Sequence, residues 1–158
     1  MLLSEIITVD CIHVGYTPEG ATKSSVIRDL VGLLAGARGL DGEQRQAVEE
    51  AILAREAQKP TGIGRGVAVP HGKNERVKGV LGLLALCAEG EGVEFGAKDG
   101  QPAHFVVLMV SDFNTSKEHV AALAQITRLL QKPGFVDGLA GKDAAAVHAL
   151  LRDHEAAL

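Results

Sequence analysis

Two kinds of apolar spacing alternate along this chain. Between Thr22 and Ala37 the apolar positions Val26, Ile27, Leu30, Val31 and Leu34 recur every three to four residues, which predicts an amphipathic helix. Thr22 stands where an N-cap is needed, and Gly36 and Gly39 mark the end. Asp41 followed by Gln44 has capping-box spacing and opens a second helix to about Ala57, with Ala47, Val48, Ala51, Ile52 and Ala54 as its apolar positions. Pro60 stops it. Thr115 and Glu118 repeat the capping-box spacing at the head of a third helix, Ser116 to Gln131, which Lys132-Pro133-Gly134 breaks. A fourth, from Asp143 to about Glu155, carries Ala146, Val147, Leu150 and Leu151 on one side.

Shorter apolar runs lie between these segments. Cys11 to Thr17 alternates weakly and predicts a first strand. Val67, Ala68 and Val69 read as a short buried strand, and Pro70, which has no N–H for a ladder, is expected to stop it. Gly79 to Ala88 and His104 to Val110 are continuous apolar runs, as interior strands require, and Asp99-Gly100 between them is a turn signal. Helices alternating with buried strands predict one α/β domain over residues 1–158, with helices covering the sheet.

Composition narrows the function classes. A chain of 158 residues with 46% hydrophobic content buries a sizeable core without splitting. Net charge is −4, from 16 basic and 20 acidic residues, and no dense Lys/Arg cluster stands out, so nucleic acid is not an expected partner. Cys11 and Cys87 lack metal-ligand spacing and read as free thiols of a reducing compartment. The start has neither a basic leader nor a cleavage site. The longest apolar run is about half the ~20 residues a membrane helix needs. The expectation is a cytoplasmic protein with no direct membrane insertion.

The candidate chemistry concentrates in TGIGRGVAVPH, residues 61–71. Glycines at 62, 64 and 66 allow a sharp bend and a close approach, and Pro70 stiffens the backbone before His71. A neutral imidazole held there can attack phosphorus and pass the group on. The structural alternative is a strand-end histidine bonded to a nearby carbonyl. His119 falls in the first turn of the third helix, where free N–H groups and the helix dipole favour an anion; its alternative is a surface histidine beside Glu118. Arg55 closes the second helix, where it serves either as a fork for phosphate oxygens or as a cation favoured by the dipole. The glycine spacing is not that of a dinucleotide loop, and Gly72-Lys73 is not a P-loop. Two histidines without a third ligand at the right spacing make a weak case for zinc, and no cofactor is implied.

Four segments together resemble one family. They are ATKSSVIRDLVGLL, AREAQKPTGIGRGVAVPHGK, GVEFGAKDGQPAHFVVLMV and EHVAALAQITRLL. The chain is similar to the mannitol/fructose type of enzyme IIA of the bacterial phosphoenolpyruvate-dependent sugar phosphotransferase system, a fold shared by nitrogen-regulatory IIA proteins. The resemblance implies a mixed β-sheet flanked by helices on both faces. It implies that His71 accepts phosphate from the carrier HPr and passes it to an enzyme IIB. His119 is then the second histidine that supports it, and Arg55 the arginine near the phosphate. A free-standing regulatory module, binding a partner protein in one phosphorylation state, is the alternative. A homodimer is compatible with either. Family members often carry a proline soon after the strand that ends here at Val110, where this chain has Ser111-Asp112-Phe113-Asn114. The loop before His119 is therefore expected to differ, and the Asp112 carboxylate to oppose a phosphohistidine if it lies close.

Overall fold

The two continuous apolar runs become the middle of a sheet, and the periodic segments become the helices that cover it. The structure is a computed structural model, and it describes residues 1–18 and 22–155. In chain order the elements are helix α1 (Leu3–Ile6), strand β1 (Ile12–Tyr16), helices α2 (Lys23–Arg38) and α3 (Gly42–Gln58), strands β2 (Gly62–Gly64), β3 (Val67–Ala68), β4 (His71–Lys73), β5 (Val80–Cys87) and β6 (Phe105–Ser111), and helices α4 (Ser116–Gln131) and α5 (Ala144–His154). The short α1 carries no periodic pattern long enough to be read from sequence. The remaining elements match their expected positions to within one to three residues, β2 and β4 excepted.

The sheet runs β1-β5-β6-β3-β2, with β4 also paired to β6. It is mixed: β1 is parallel to β5, β5 antiparallel to β6, and β3 and β4 both parallel to β6. Strands β5 and β6 are buried on both faces because their side chains alternate between two cores. Val80, Leu84, Leu86, Val107 and Met109 pack with Ala122, Ile126 and Leu130 of α4 and with Val147 and Leu151 of α5. Leu81, Leu83, Ala85, Val106, Leu108 and Val110 pack with Val26, Ile27, Leu30, Val31 and Leu34 of α2 and Val48 and Ile52 of α3. Each large aliphatic side chain buried this way contributes about 1.5–3 kcal/mol. The architecture is thus a mixed sheet with helices on both faces.

Side-chain caps set the starts of α2, α3 and α5. Thr22 accepts from the Ser25 N–H, and Asp41 with Gln44 forms the expected reciprocal box. Asp143 accepts from the Ala146 N–H. Gly39, at φ 69°, closes α2 in the left-handed region. The capping box expected of Thr115 and Glu118 does not form. Asp112 instead braces the turn before the helix, accepting from the Thr115 N–H and hydroxyl through one oxygen and from the Gly79 N–H through the other. Those donors hold the Asp112 carboxyl below its ordinary pKa, the Gly79 N–H most of all.

The glycine-rich segment is a hairpin rather than a bare turn. Arg65 and Gly66 both have positive φ, at 56° and 78°, as a two-residue turn of the kind that matches strand twist requires, and they join β2 to antiparallel β3. Strand β3 stops before Pro70, as expected; what the sequence did not predict is that pairing resumes beyond it as β4. Val67 pairs with Phe105, Ala68 with Val106 and His71 with Met109, a constant offset across the proline. Pro70 removes one donor, yet its carbonyl still accepts from the Met109 N–H at 3.1 Å, so the ribbon resumes in register at His71.

Candidate functional site

Alternation along β4 decides what surrounds His71. His71 and Lys73 point to the α4 side of the sheet, opposite Met109 and Ser111, and Gly72 points to the α3 side. A Cβ at Gly72 would lie 3.0–3.2 Å from the backbone of Ala51 and Ile52. Only a glycine lets α3 pack this tightly on β4. That contact carries the last turn of α3, with Arg55 and Glu56, to the level of His71.

His71 is partly exposed and lines a groove of about 660 Å³ together with Arg55, Lys59, Thr61, Arg65 and Lys98. Its Nδ1 lies 2.8 Å from the Val69 carbonyl oxygen. A carbonyl only accepts, so Nδ1 carries the proton and Nε2 keeps its lone pair. Burial lowers the His71 pKa, the Val69 carbonyl opposes this, and Arg55 and Lys73 lower it further against Glu56. The ring is therefore neutral at neutral pH. Arg55 donates to the Lys59 carbonyl at 2.7 Å, which anchors the guanidinium at the helix end and within the groove.

His119 is not the surface residue that one sequence reading allowed. It is 1% exposed and lies beneath His71 rather than in the groove wall. The two rings meet edge to face, with centroids 5.6 Å apart and planes at 74°. Nδ1 of His119 is 2.6 Å from the Ser111 hydroxyl, and among the described residues its buried Nε2 has no hydrogen-bond partner. Burial pushes its pKa down to about 4, with smaller contributions from His71 and Lys73. The structure brings His71, His119 and Arg55 to one place. Asp112, the loop carboxylate of concern, has both oxygens engaged in the turn before α4.

Three polar residues at this site escape a reading by motif. Lys73 acts on both rings and was visible as the residue two past His71 on the same strand face. Ser111 lies one residue beyond the apolar run and belongs to β6, fully buried. Glu56 occupies the buried stripe of α3 after Val48 and Ile52.

Residues 5–154 match the family described as phosphoenolpyruvate-dependent sugar phosphotransferase system, EIIA 2. The chain belongs to that family. As an EIIA domain it is 36% identical over 132 residues to the fructose-specific EIIABC component of Bacillus subtilis strain 168, covering 84% of this chain and 20% of that protein. It therefore spans about a fifth of that relative's length. The nitrogen regulatory protein IIA-Ntr of Neisseria meningitidis superposes with TM-score 0.81 at 26% identity, over 94% of this chain and 98% of that one. The Escherichia coli IIA mannitol protein, solved in complex with phosphorylated IIB mannitol, superposes with TM-score 0.73 at 26% identity, over 91% and 95%. The EIIA family accounts for the mixed sheet and its two helical faces. Among the described residues no helix is long and apolar enough to cross a membrane.

Proposed function

We propose that this chain is one EIIA domain that carries a phosphoryl group on Nε2 of His71. The observation that supports this best is the pair of neutral rings: one offers an open Nε2 lone pair to the groove, and the other, beside it, holds a buried Nε2 without a hydrogen-bond partner among the described residues. In the proposed step the His71 Nε2 lone pair attacks phosphorus on a phosphohistidine of an HPr-like donor. A new N–P bond forms, the donor's N–P bond breaks, and its electron pair returns to the donor imidazole. With the Ser111 hydroxyl donating to Nδ1, His119 carries its proton on Nε2 and donates to a phosphoryl oxygen. Arg55 and Lys73 offset the incoming charge. Attack by an enzyme IIB side chain on the same phosphorus returns His71 to its starting state. Positioning and charge supply most of such a rate.

The test is labelling with phosphoenolpyruvate, enzyme I and HPr. The wild type is expected to take up an acid-labile label, His71→Ala none, and His119→Ala the same label about 10²–10³ times more slowly. Label on His71→Ala at the wild-type level would falsify the assignment.

The likeness to a nitrogen regulatory protein favours a second use of the same chemistry. Two added negative charges in the groove would then switch binding of a regulated protein. Pull-downs with phosphorylated and unmodified protein separate the two, since a pure carrier retains the same partners in both states. A homodimer remains part of this proposal and is read by the mass of the protein in solution.

A further inference from the structure

Helix α3 buries Val48, Ile52 and Glu56, a stripe at four-residue spacing whose third member is a carboxylate. Glu56 is 4% exposed, and a charge there carries a desolvation cost unless its oxygens are occupied. They are. Lys23 of α2 donates to Oε2 at 3.2 Å, the Thr61 N–H donates to the same oxygen at 2.9 Å, and the Thr61 hydroxyl donates to Oε1. The Thr61 carbonyl accepts from the Val69 N–H at 3.0 Å, and the Val69 carbonyl accepts from Nδ1 of His71 at 2.8 Å. Five residues thus connect the first covering helix to the reactive ring: Lys23, Glu56, Thr61, Val69 and His71.

We propose that Glu56 is a positioning residue for His71, clamping Thr61 so that Val69 presents its carbonyl to Nδ1 and leaves Nε2 open. The inference rests on the reading of His71 as the phosphoryl acceptor. The chain of contacts enters Thr61 and Val69 through one peptide plane and leaves through the next. What it transmits is position rather than electron density. The charge of Glu56 acts separately through space, favouring a protonated His71 against Arg55 on α3 and Lys73 on β4. His119 of α4 meets the ring edge to face, and the other charged residues lining the same groove are Lys59, Arg65, Lys98 and Asp99. Glu56 therefore offsets the two nearest cations while fixing which nitrogen they surround.

Histidine ¹⁵N spectra of wild type, Glu56→Gln and Lys23→Met test this, alongside the labelling assay on each. Glu56→Gln removes the charge and leaves one amide oxygen for the donors that two carboxylate oxygens held, so the Lys23 and Thr61 contacts weaken and Thr61 loosens. The expected result is a mixed His71 tautomer, a titration midpoint lower by roughly half a pH unit or more, and labelling slowed by about tenfold or more. Lys23→Met keeps the clamp but leaves Glu56 unneutralised, so the midpoint rises while the tautomer stays pure. That arm reads the charge even where Glu56→Gln does not fold. A folded Glu56→Gln with wild-type tautomer and midpoint overturns the inference, and so does a Lys23→Met protein with an unmoved midpoint. A wild type that takes no label, with the ring responses present, removes the phosphocarrier reading and leaves the positioning role standing. Label on the wild type without ring responses in the variants removes the positioning role alone.

Discussion

At the residue scale the candidate site holds two imidazoles that the fold keeps neutral in different ways. His71 is part-buried and faces cations, and His119 is shut in behind it. Both rings hold protons less tightly than in the unfolded chain, whose histidines titrate near 6.5. Between that value and about 4, where His119 titrates when folded, the unfolded state binds more protons. The contribution of these rings to stability is therefore full above 6.5 and falls away as pH drops through that window. Urea unfolding at a series of pH values should show stability falling from pH 7 toward 4, with a shallower fall in His119→Gln. Equal slopes in the two proteins would mean that His119 is not held neutral. Only His71 and Arg55 of the predicted residues open to the groove; His119 lies buried behind His71, its ring edge to face with that of His71.

Among the elements, two local sequence choices hold the site together. Gly72 is the place where α3 sits on β4, with backbone atoms 3.0–3.2 Å from where a Cβ would stand. Gly72→Ala should cost about 1–3 kcal/mol of stability by thermal or chemical unfolding, because backbone cannot move aside as a side chain tip can. The surviving folded protein should label poorly, since Arg55 and Glu56 ride on α3. Arg65 is the second choice. It is the one non-glycine among the described residues with positive φ, and its hairpin turn favours Asn at that position. Arg65 nevertheless lines the groove and donates to the Gln131 carbonyl at 3.1 Å. Arg65→Asn is expected to hold or raise the melting temperature while slowing transfer from a phosphorylated donor. A variant less stable than the parent would show that the Gln131 contact outweighs the backbone strain.

For the whole molecule, charge is distributed against its total. The chain carries −4 overall, yet the groove around His71 presents Arg55, Lys59, Arg65 and Lys98 against Asp99 alone. Such a patch steers an anionic phosphoryl group and is screened by salt. Raising salt toward ~1 M, where screening acts within about 3 Å, should lower kcat/KM for the phosphorylated donor several-fold and leave single-turnover transfer in a preformed complex little changed. Salt independence would shift the weight of docking to the exposed apolar side chains Phe113 and Val120, 64% and 62% exposed beside the start of α4.

Period and punctuation alone determined the helices α2 to α5, the strands β1, β5 and β6, and the order that makes an α/β sheet, because burial of an apolar face imposes a spacing that any reader of the chain can count. The block at residues 61–71 likewise announced His71, since glycine and proline restrict the backbone locally. Tertiary structure decided the rest. That pairing resumed beyond Pro70 as β4 depended on β6 lying alongside to keep the register. That Asp112 braced the turn before α4, while Thr115 formed no side-chain cap, depended on Gly79 arriving from the segment just before β5. That His119 is buried against Ser111, and that Glu56 reaches His71 through Thr61 and Val69, follows from contacts between segments far apart in sequence. Those contacts exist only once two helices and a sheet have closed on each other, because a hydrogen bond between distant residues leaves no periodic mark on the chain.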